Sequence, residues 1–343
     1  MDFVTDNIVT GRHFHVKRIA VIGAGVMGPG IAIAFARYGF PVTLTDIDST
    51  ALESAAAYLR AMSGLFNPKP GRGGRRPKDI MAGIRLTTSL EKAAGNADFI
   101  IEAVKEELTV KSRLFAELEK VCPPQAILAS NSSSLSIDDI VDKVACRDRI
   151  ILTHFVIPAE VMPLVDVARG STTSDETFEC TIGLLRRIGK EPIIYDKVLP
   201  IYLVNSFNEA IMWKALDLLG KGVATTEEID RVFTEGLGQR LSVMGPFKTM
   251  DFMGLDLLWL AVTNFIPNAH SDPRIARIRE LVQAGNFGIK TGRGFYDYGG
   301  CSRGETMLEI NRQLLDIIKN RPAGKKGGNS NKRKKGDDSN HGI

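Results

Sequence analysis

Nowhere in its 343 residues does the chain have a run approaching the ~20 apolar residues that a membrane-spanning helix needs. Cysteine is scarce. The four present, Cys122, Cys146, Cys180 and Cys301, are far apart and form no CxxC pair. That argues against a disulfide framework and a metal site, and for reduced thiols in a cytosol-like compartment. An excess of one charge is also missing from the body of the chain. The formal net charge of +4 sits in the tail, where Arg321, Lys325, Lys326, Lys332, Arg333, Lys334 and Lys335 face only Asp337 and Asp338. A near-neutral body gives no reason to expect nucleic acid or an anionic membrane as partner. The first twenty residues lack a long apolar stretch, and residues 1–16 are poor in Arg and Ser and contain two Asp. Neither a secretory signal nor a transit peptide is expected, which leaves the cytoplasm. No internal repeat is visible.

What is present describes an ordinary globular protein, with 44% hydrophobic and 24% charged residues, long enough for two domains. KRIAVIG (17–23) reads as a buried parallel strand, and 27–38 as a helix closed by Gly39. PVTLTDID reads as a second strand ending in Asp46, and 49–65 as a helix. The segment from Asn67 to Lys78 is dense in Pro, Gly and cations, which predicts an exposed loop or a break between two helices. Further strands are expected at 84–86, 98–104, 126–131, 149–156 and 164–167, with a helix at Leu108–Val121. Alternating strand and helix predicts a mostly parallel sheet with helices on both faces, the α/β Rossmann class. Beyond Val204 only helical windows follow: 204–219, 226–235, 246–265, 273–285 and 305–320. The expected organisation is a Rossmann domain at 1–199, a smaller all-α domain at 200–320, and a disordered tail at 321–343, read as a solubilising appendage with a nuclear-localisation or nucleic-acid patch as the alternative.

GAGVMG, from Gly23 through Gly25, Val26 and Met27 to Gly28, fits GxGxxG. The pattern alone is weak, but here it follows a strand, opens a helix, and precedes an acid at the end of the next strand. Gly23 permits the tight turn, Gly25 admits a pyrophosphate to the backbone, and Gly28 lets helix and strand pack closely. The helix N-terminus adds free N–H groups and partial positive charge. Asp46, 18 residues after Gly28, is placed to accept both ribose hydroxyls of NAD and to repel the 2′-phosphate of NADP.

Other segments are left unexplained by dinucleotide binding: SNSSSLSI (130–137), HFVIPAEVMPLVDV (154–167), LVN (203–205), GPFKTMDFMGLD (245–256) and FGIKTGRGFYDY (287–298). In order and spacing they resemble the L-3-hydroxyacyl-CoA dehydrogenase family, from Lys17 to Tyr298. The resemblance implies an NAD-binding Rossmann domain, an all-helical domain that pairs two chains, and reversible oxidation of a 3-hydroxyacyl-CoA to the 3-keto thioester. It also implies roles. His154, in the family's HFxxP motif, is the general base, since imidazole exchanges protons near neutrality. Asp166 would hold the ring's second nitrogen. Ser133 and Asn205 are neutral donors to the reacting oxygen. Ser132 and Ser134 flank Ser133, and alignment alone chooses among the three. Glu106 and Lys111 match positions beside the nicotinamide and its ribose, and read equally well as a solvated helix start. The cations Lys69, Arg72, Arg75, Arg76 and Lys78 occupy the region of the family's arm over the acyl-CoA, where they could meet its phosphates or stay solvated.

The sequence departs from the family twice. Asp166 stands where Glu is usual, one methylene shorter. Ile157 stands where the family's HFFNP motif has asparagine. GLGQRLSVMGPF (236–247) resembles sugar-acid and carnitine dehydrogenase branches as much as the acyl-CoA branch. A free 3-hydroxy acid therefore remains an alternative substrate, and a non-catalytic, crystallin-like NAD-binding protein an alternative role.

Overall fold

A computed structural model of the chain describes residues 16–66, 75–195 and 202–320. These fall in two compact units, 1–212 and 213–343. The expected boundary at Leu199–Pro200, the tail from Arg321 onward, and Lys69 and Arg72 lie outside the described residues.

In the first unit, eight strands form one sheet: β1 (Ile19–Ile22), β2 (Val42–Thr45), β3 (Ile84–Thr87), β4 (Phe99–Glu102), β5 (Ile127–Ser130), β6 (Ile150–Phe155), β7 (Leu164–Arg169) and β8 (Glu191–Tyr195). The spatial order is β3-β2-β1-β4-β5-β6-β7-β8. All neighbours run parallel except β6 and β7, which pair antiparallel. Order reverses at β1, because β2 lies on one side and β4 on the other. That is the switch point where α/β sheets bind ligands at the carboxyl ends of their strands.

The period of two divides the core. Ile19 and Val21 of β1 join Ile31, Ile33 and Phe35 of the helix Gly28–Ala36 in one apolar cluster. Ala20 and Ile22 point the other way and join Phe115 and Leu118 of the helix Leu108–Val121. The glycine loop follows β1 directly. Gly23 has φ +109°, and a Cβ there would lie 2.4 Å from the Ala103 carbonyl oxygen. At Gly28 it would lie 1.8 Å from the Gly23 oxygen. Both close approaches require glycine.

Several expectations need correcting. Helices Ser49–Ser63 and Pro77–Ala82 flank the segment from Asn67, as the reading of a break between two helices has it, but Pro77 and Lys78 already belong to the second helix, with Arg76 as its N-cap. Proline's fixed φ suits that first turn. The helix Asp175–Arg187 and strand β8 were not anticipated. The window 246–265 is two helices, Pro246–Met253 and Leu255–Phe265, broken at Gly254 with φ +102°.

In the second unit the two family-like motifs clasp each other. Asp251, fully buried, accepts hydrogen bonds from the backbone N–H of Phe295 (3.0 Å) and Tyr296 (3.1 Å) and from the Tyr298 hydroxyl (2.9 Å). Lys290 pairs with Asp256 at 2.7 Å. A Cβ on Gly294 would lie 2.2 Å from Asp251 Oδ1, so glycine is required for the clasp. Burial of a carboxyl group is tolerable here because its donors satisfy it. Asp251→Ala strands three donors and should cost about 3 kcal/mol, read as a lowered urea midpoint at fixed protein concentration. An unchanged midpoint would show that the clasp does not hold this unit together.

Candidate active site

The candidate site lies at the carboxyl ends of β1, β4, β5 and β6. A cavity of about 560 Å³ is lined there by Gly25, Val26, Met27, Glu106, Lys111, Ser133, His154 and Asn205, together with Asn131 and Ile157. Eight residues singled out in the sequence thus converge. Four do not line the cavity. Gly23 and Gly28 build the turn, Asp46 flanks the glycine loop, and Asp166 stands behind His154.

Antiparallel pairing sets the last relationship. His154 of β6 is directly opposite Asp166 of β7, so their side chains leave the same face of the sheet. His154 Nδ1 lies 2.9 Å from Asp166 Oδ2. The histidine is 8% exposed and the aspartate fully buried. The ring of Tyr202 stacks on the imidazole at 5.6 Å between centroids. The other oxygen of Asp166 accepts the Tyr195 hydroxyl at 2.5 Å. The shorter carboxylate therefore reaches the ring. Both of its oxygens are bonded.

A second network fixes the serine loop. Glu102 ends β4, fully buried, and accepts from Lys111 Nζ (2.6 Å), Ser130 Oγ (2.7 Å) and the Val104 N–H (2.8 Å). Lys111 is buried, not solvated, and also meets Glu106 at 3.0 Å. One oxygen of Glu106 gathers the Ser132 hydroxyl (2.5 Å) and the N–H groups of Ser133 (2.9 Å) and Ser134 (3.1 Å). Ser132, fully buried, is committed to this structure and also accepts from the Leu135 N–H. Of the three serines, Ser133 is the one lining the cavity. Sequence reasoning missed Glu102, Ser130, Tyr195 and Tyr202. An acid ending the apolar run DFIIE was the available signal for Glu102. Tyr195 was lost with the unrecognised strand that carries it.

The loop fits a dinucleotide. A Cβ built on Gly25 would have no atom within 4 Å, so the backbone there is open to a pyrophosphate. The Gly28–Ala36 helix has no side-chain cap, leaving its N–H groups available. Asp46 accepts the Ala24 N–H (2.7 Å) and the Asp48 N–H (3.0 Å), which hold its carboxylate against the loop. Among the described residues no cluster could hold a metal ion, and no helix is long and apolar enough to cross a membrane.

Comparison with known proteins matches residues 18–198 to the NAD-binding domain of 3-hydroxyacyl-CoA dehydrogenase and residues 202–298 to its C-terminal domain. The chain belongs to the 3-hydroxyacyl-CoA dehydrogenase family. Its cofactor is NAD. A probable 3-hydroxybutyryl-CoA dehydrogenase of Bacillus subtilis is 35% identical over 286 residues, covering 82% of this chain and 98% of that one. A 5-formyl-3-hydroxy-2-methylpyridine 4-carboxylate 5-dehydrogenase of Mesorhizobium japonicum is 29% identical, covering 88% and 97%. The crystal structure of a 3-hydroxyacyl-CoA dehydrogenase from Archaeoglobus fulgidus superposes with a TM-score of 0.70 at 31% identity, covering 89% and 98%.

Burial pushes the Glu106 carboxyl up. The Ser132 hydroxyl, the Lys111 ammonium and the Ser134 N–H outweigh it and hold the group at about 2, below the ordinary 4.5. A carboxyl depressed on folding contributes stability above its unfolded value and loses it as pH falls through the folded one. Glu106→Gln should therefore lower the urea midpoint at neutral pH. The gap to the unmutated protein should narrow as pH drops below about 5 and close only as it passes about 2. A constant gap would contradict this account of the serine loop.

Proposed function

We propose that this dehydrogenase oxidises a (3S)-3-hydroxyacyl-CoA reversibly to the 3-ketoacyl-CoA. The observation that carries the reading is the cavity on which the glycine loop, His154, Ser133 and Asn205 converge. When bound, NAD supplies the hydride acceptor. His154, its Nδ1 fixed by Asp166, presents Nε2 as the base that takes the substrate hydroxyl proton. Asp166 is the positioning partner, favouring one tautomer and stabilising the imidazolium as the proton arrives. Ser133 and Asn205 donate to the substrate oxygen, polarising the carbonyl in the reverse direction. Glu106 and Lys111 hold the wall on the nicotinamide side.

A second reading keeps the chemistry and changes the substrate to a free hydroxy acid. Ile157, 59% exposed on the cavity, supports it, because an apolar side chain stands where the family has an amide. The Mesorhizobium relative also acts, by its name, on a pyridine carboxylate and not a thioester. One panel separates the readings: NADH-dependent reduction of acetoacetyl-CoA against NAD-dependent oxidation of carnitine and of gulonate. The acyl-CoA reading predicts kcat/KM at least about 100-fold higher on acetoacetyl-CoA, roughly 2.7 kcal/mol of transition-state preference. Turnover of a free acid alone would overturn it. No turnover by a protein that binds NAD would favour a non-catalytic role.

The second unit, the all-helical C-terminal domain of this reading, is proposed to pair two chains in the cytoplasm. Trp213 is 65% and Phe265 84% exposed, and Met253, Leu257, Leu260 and Leu308 are each more than half exposed. The helix Arg303–Lys319 buries no residue at all. A second copy covering these side chains would remove that apolar surface from water. Light scattering at micromolar concentration should give a dimer mass. A monomer mass would count against the pairing.

A further inference from the structure

We propose that Tyr195 is a positioning residue: its hydroxyl holds one oxygen of Asp166 so that the other stays on His154. The proposal rests on the reading of His154 as the base. An aspartate carboxylate turns freely about its last bond, because that torsion is broad and twofold. One hydrogen bond to an imidazole therefore does not fix its plane. At Asp166 a second contact does. The Tyr195 hydroxyl donates to Oδ1 at 2.5 Å while His154 Nδ1 sits on Oδ2 at 2.9 Å.

Sheet register explains how the tyrosine arrives. In the parallel β7–β8 pair, Asp166 is opposite Ile193 and Ala168 opposite Tyr195. Tyr195 is two residues beyond Asp166's own partner, hence on the same face, at a diagonal distance that a long aromatic side chain spans. Without a hydroxyl there, Oδ1 of a fully buried carboxylate would lose this donor. The same hydroxyl accepts the Leu203 N–H at 3.2 Å. Leu203 opens the helix that carries Asn205, so one oxygen atom ties the carboxylate behind the base to the backbone that presents a substrate donor. Burial and the neighbouring carboxylate push the Tyr195 hydroxyl well above the usual tyrosine value. It stays protonated, and so stays a donor, at any pH where the enzyme works.

The test compares Tyr195→Phe, Asp166→Ala and the double variant, with two readouts. The first is NADH-dependent reduction of acetoacetyl-CoA. The second is ¹⁵N NMR of histidine-labelled protein, which reports the tautomer of His154 without turnover. Tyr195→Phe should lower kcat about 10- to 100-fold, the scale of a slightly misplaced catalytic group, with KM and NAD affinity little changed. It should also weaken the Nδ1–H tautomer signal. Because the tyrosine acts chiefly through the carboxylate, adding Tyr195→Phe to Asp166→Ala should cost far less than the loss expected of Tyr195→Phe alone, the remainder being its contact with the Leu203 N–H. This comparison does not need the single variant to fold, since no carboxylate is then left without its donor. Unchanged kcat and tautomer in Tyr195→Phe, or losses that add in the double variant, would overturn the proposal. If instead Asp166→Ala loses the tautomer and keeps full kcat, the positioning role stands and the reading of His154 as the base fails.

Discussion

Everything distinctive in the first unit is arranged around one buried contact, the pair between His154 and Asp166. It exists because β7 runs against β6 in an otherwise parallel neighbourhood, which puts the two residues directly opposite each other. A one-residue slip in that register would send the aspartate to the other face of the sheet, into the cluster of Val165, Val167 and Phe155. Val165 and Val167 of β7, both fully buried in that cluster, guard against the slip, since it would exchange them with the aspartate. Strand sense, hydrophobic pattern and chemistry thus all specify the same pairing. A carboxylate with no exposure is costly unless its oxygens are bonded. Here they are, by groups from β6 and from β8.

The opposite wall of the cavity follows a parallel logic with different residues. Lys111 lies between Glu102 and Glu106 with almost no exposure. Replacing such a buried ion pair by apolar groups is often neutral for stability, so its use here is geometric. It sets the position of Glu106, which in turn gathers three consecutive serines and leaves Ser133 facing the cavity. A neutral donor is thereby placed without a long side chain that would need ordering on binding. The two walls differ in what they must do. One holds the imidazole ring proposed to exchange a proton. The other holds a backbone turn.

Much of this was legible in the residues. GAGVMG with Asp46 eighteen positions after Gly28 announced the dinucleotide loop, because strand, turn and helix signals agreed around it. The helix Leu108–Val121 was read to its exact ends, since its apolar period is clear. Strand β8 was not read, because EPIIY is short and begins with Glu and Pro, both poor in strands. Its loss hid Tyr195. Gly254 was passed over as one glycine inside a long helical pattern, although its φ of +102° breaks the helix there and brings its backbone against Lys290 and Asp256. Lys111 was ambiguous because the two acids that bury it are nine and five residues away, and sequence does not say whether a lysine faces them or water. The choice of Ser133 over its neighbours needed the Glu106 network, which is tertiary.

The most direct measurement of the central claim is the single-turnover rate of His154→Gln with saturating NADH and acetoacetyl-CoA, alongside NAD affinity. If His154 is the group that exchanges the proton, hydride transfer should slow by about 10²- to 10⁴-fold, the usual worth of a positioned acid–base group, while NAD binds as before. A His154→Gln enzyme that transfers hydride at the unmutated rate would contradict the account.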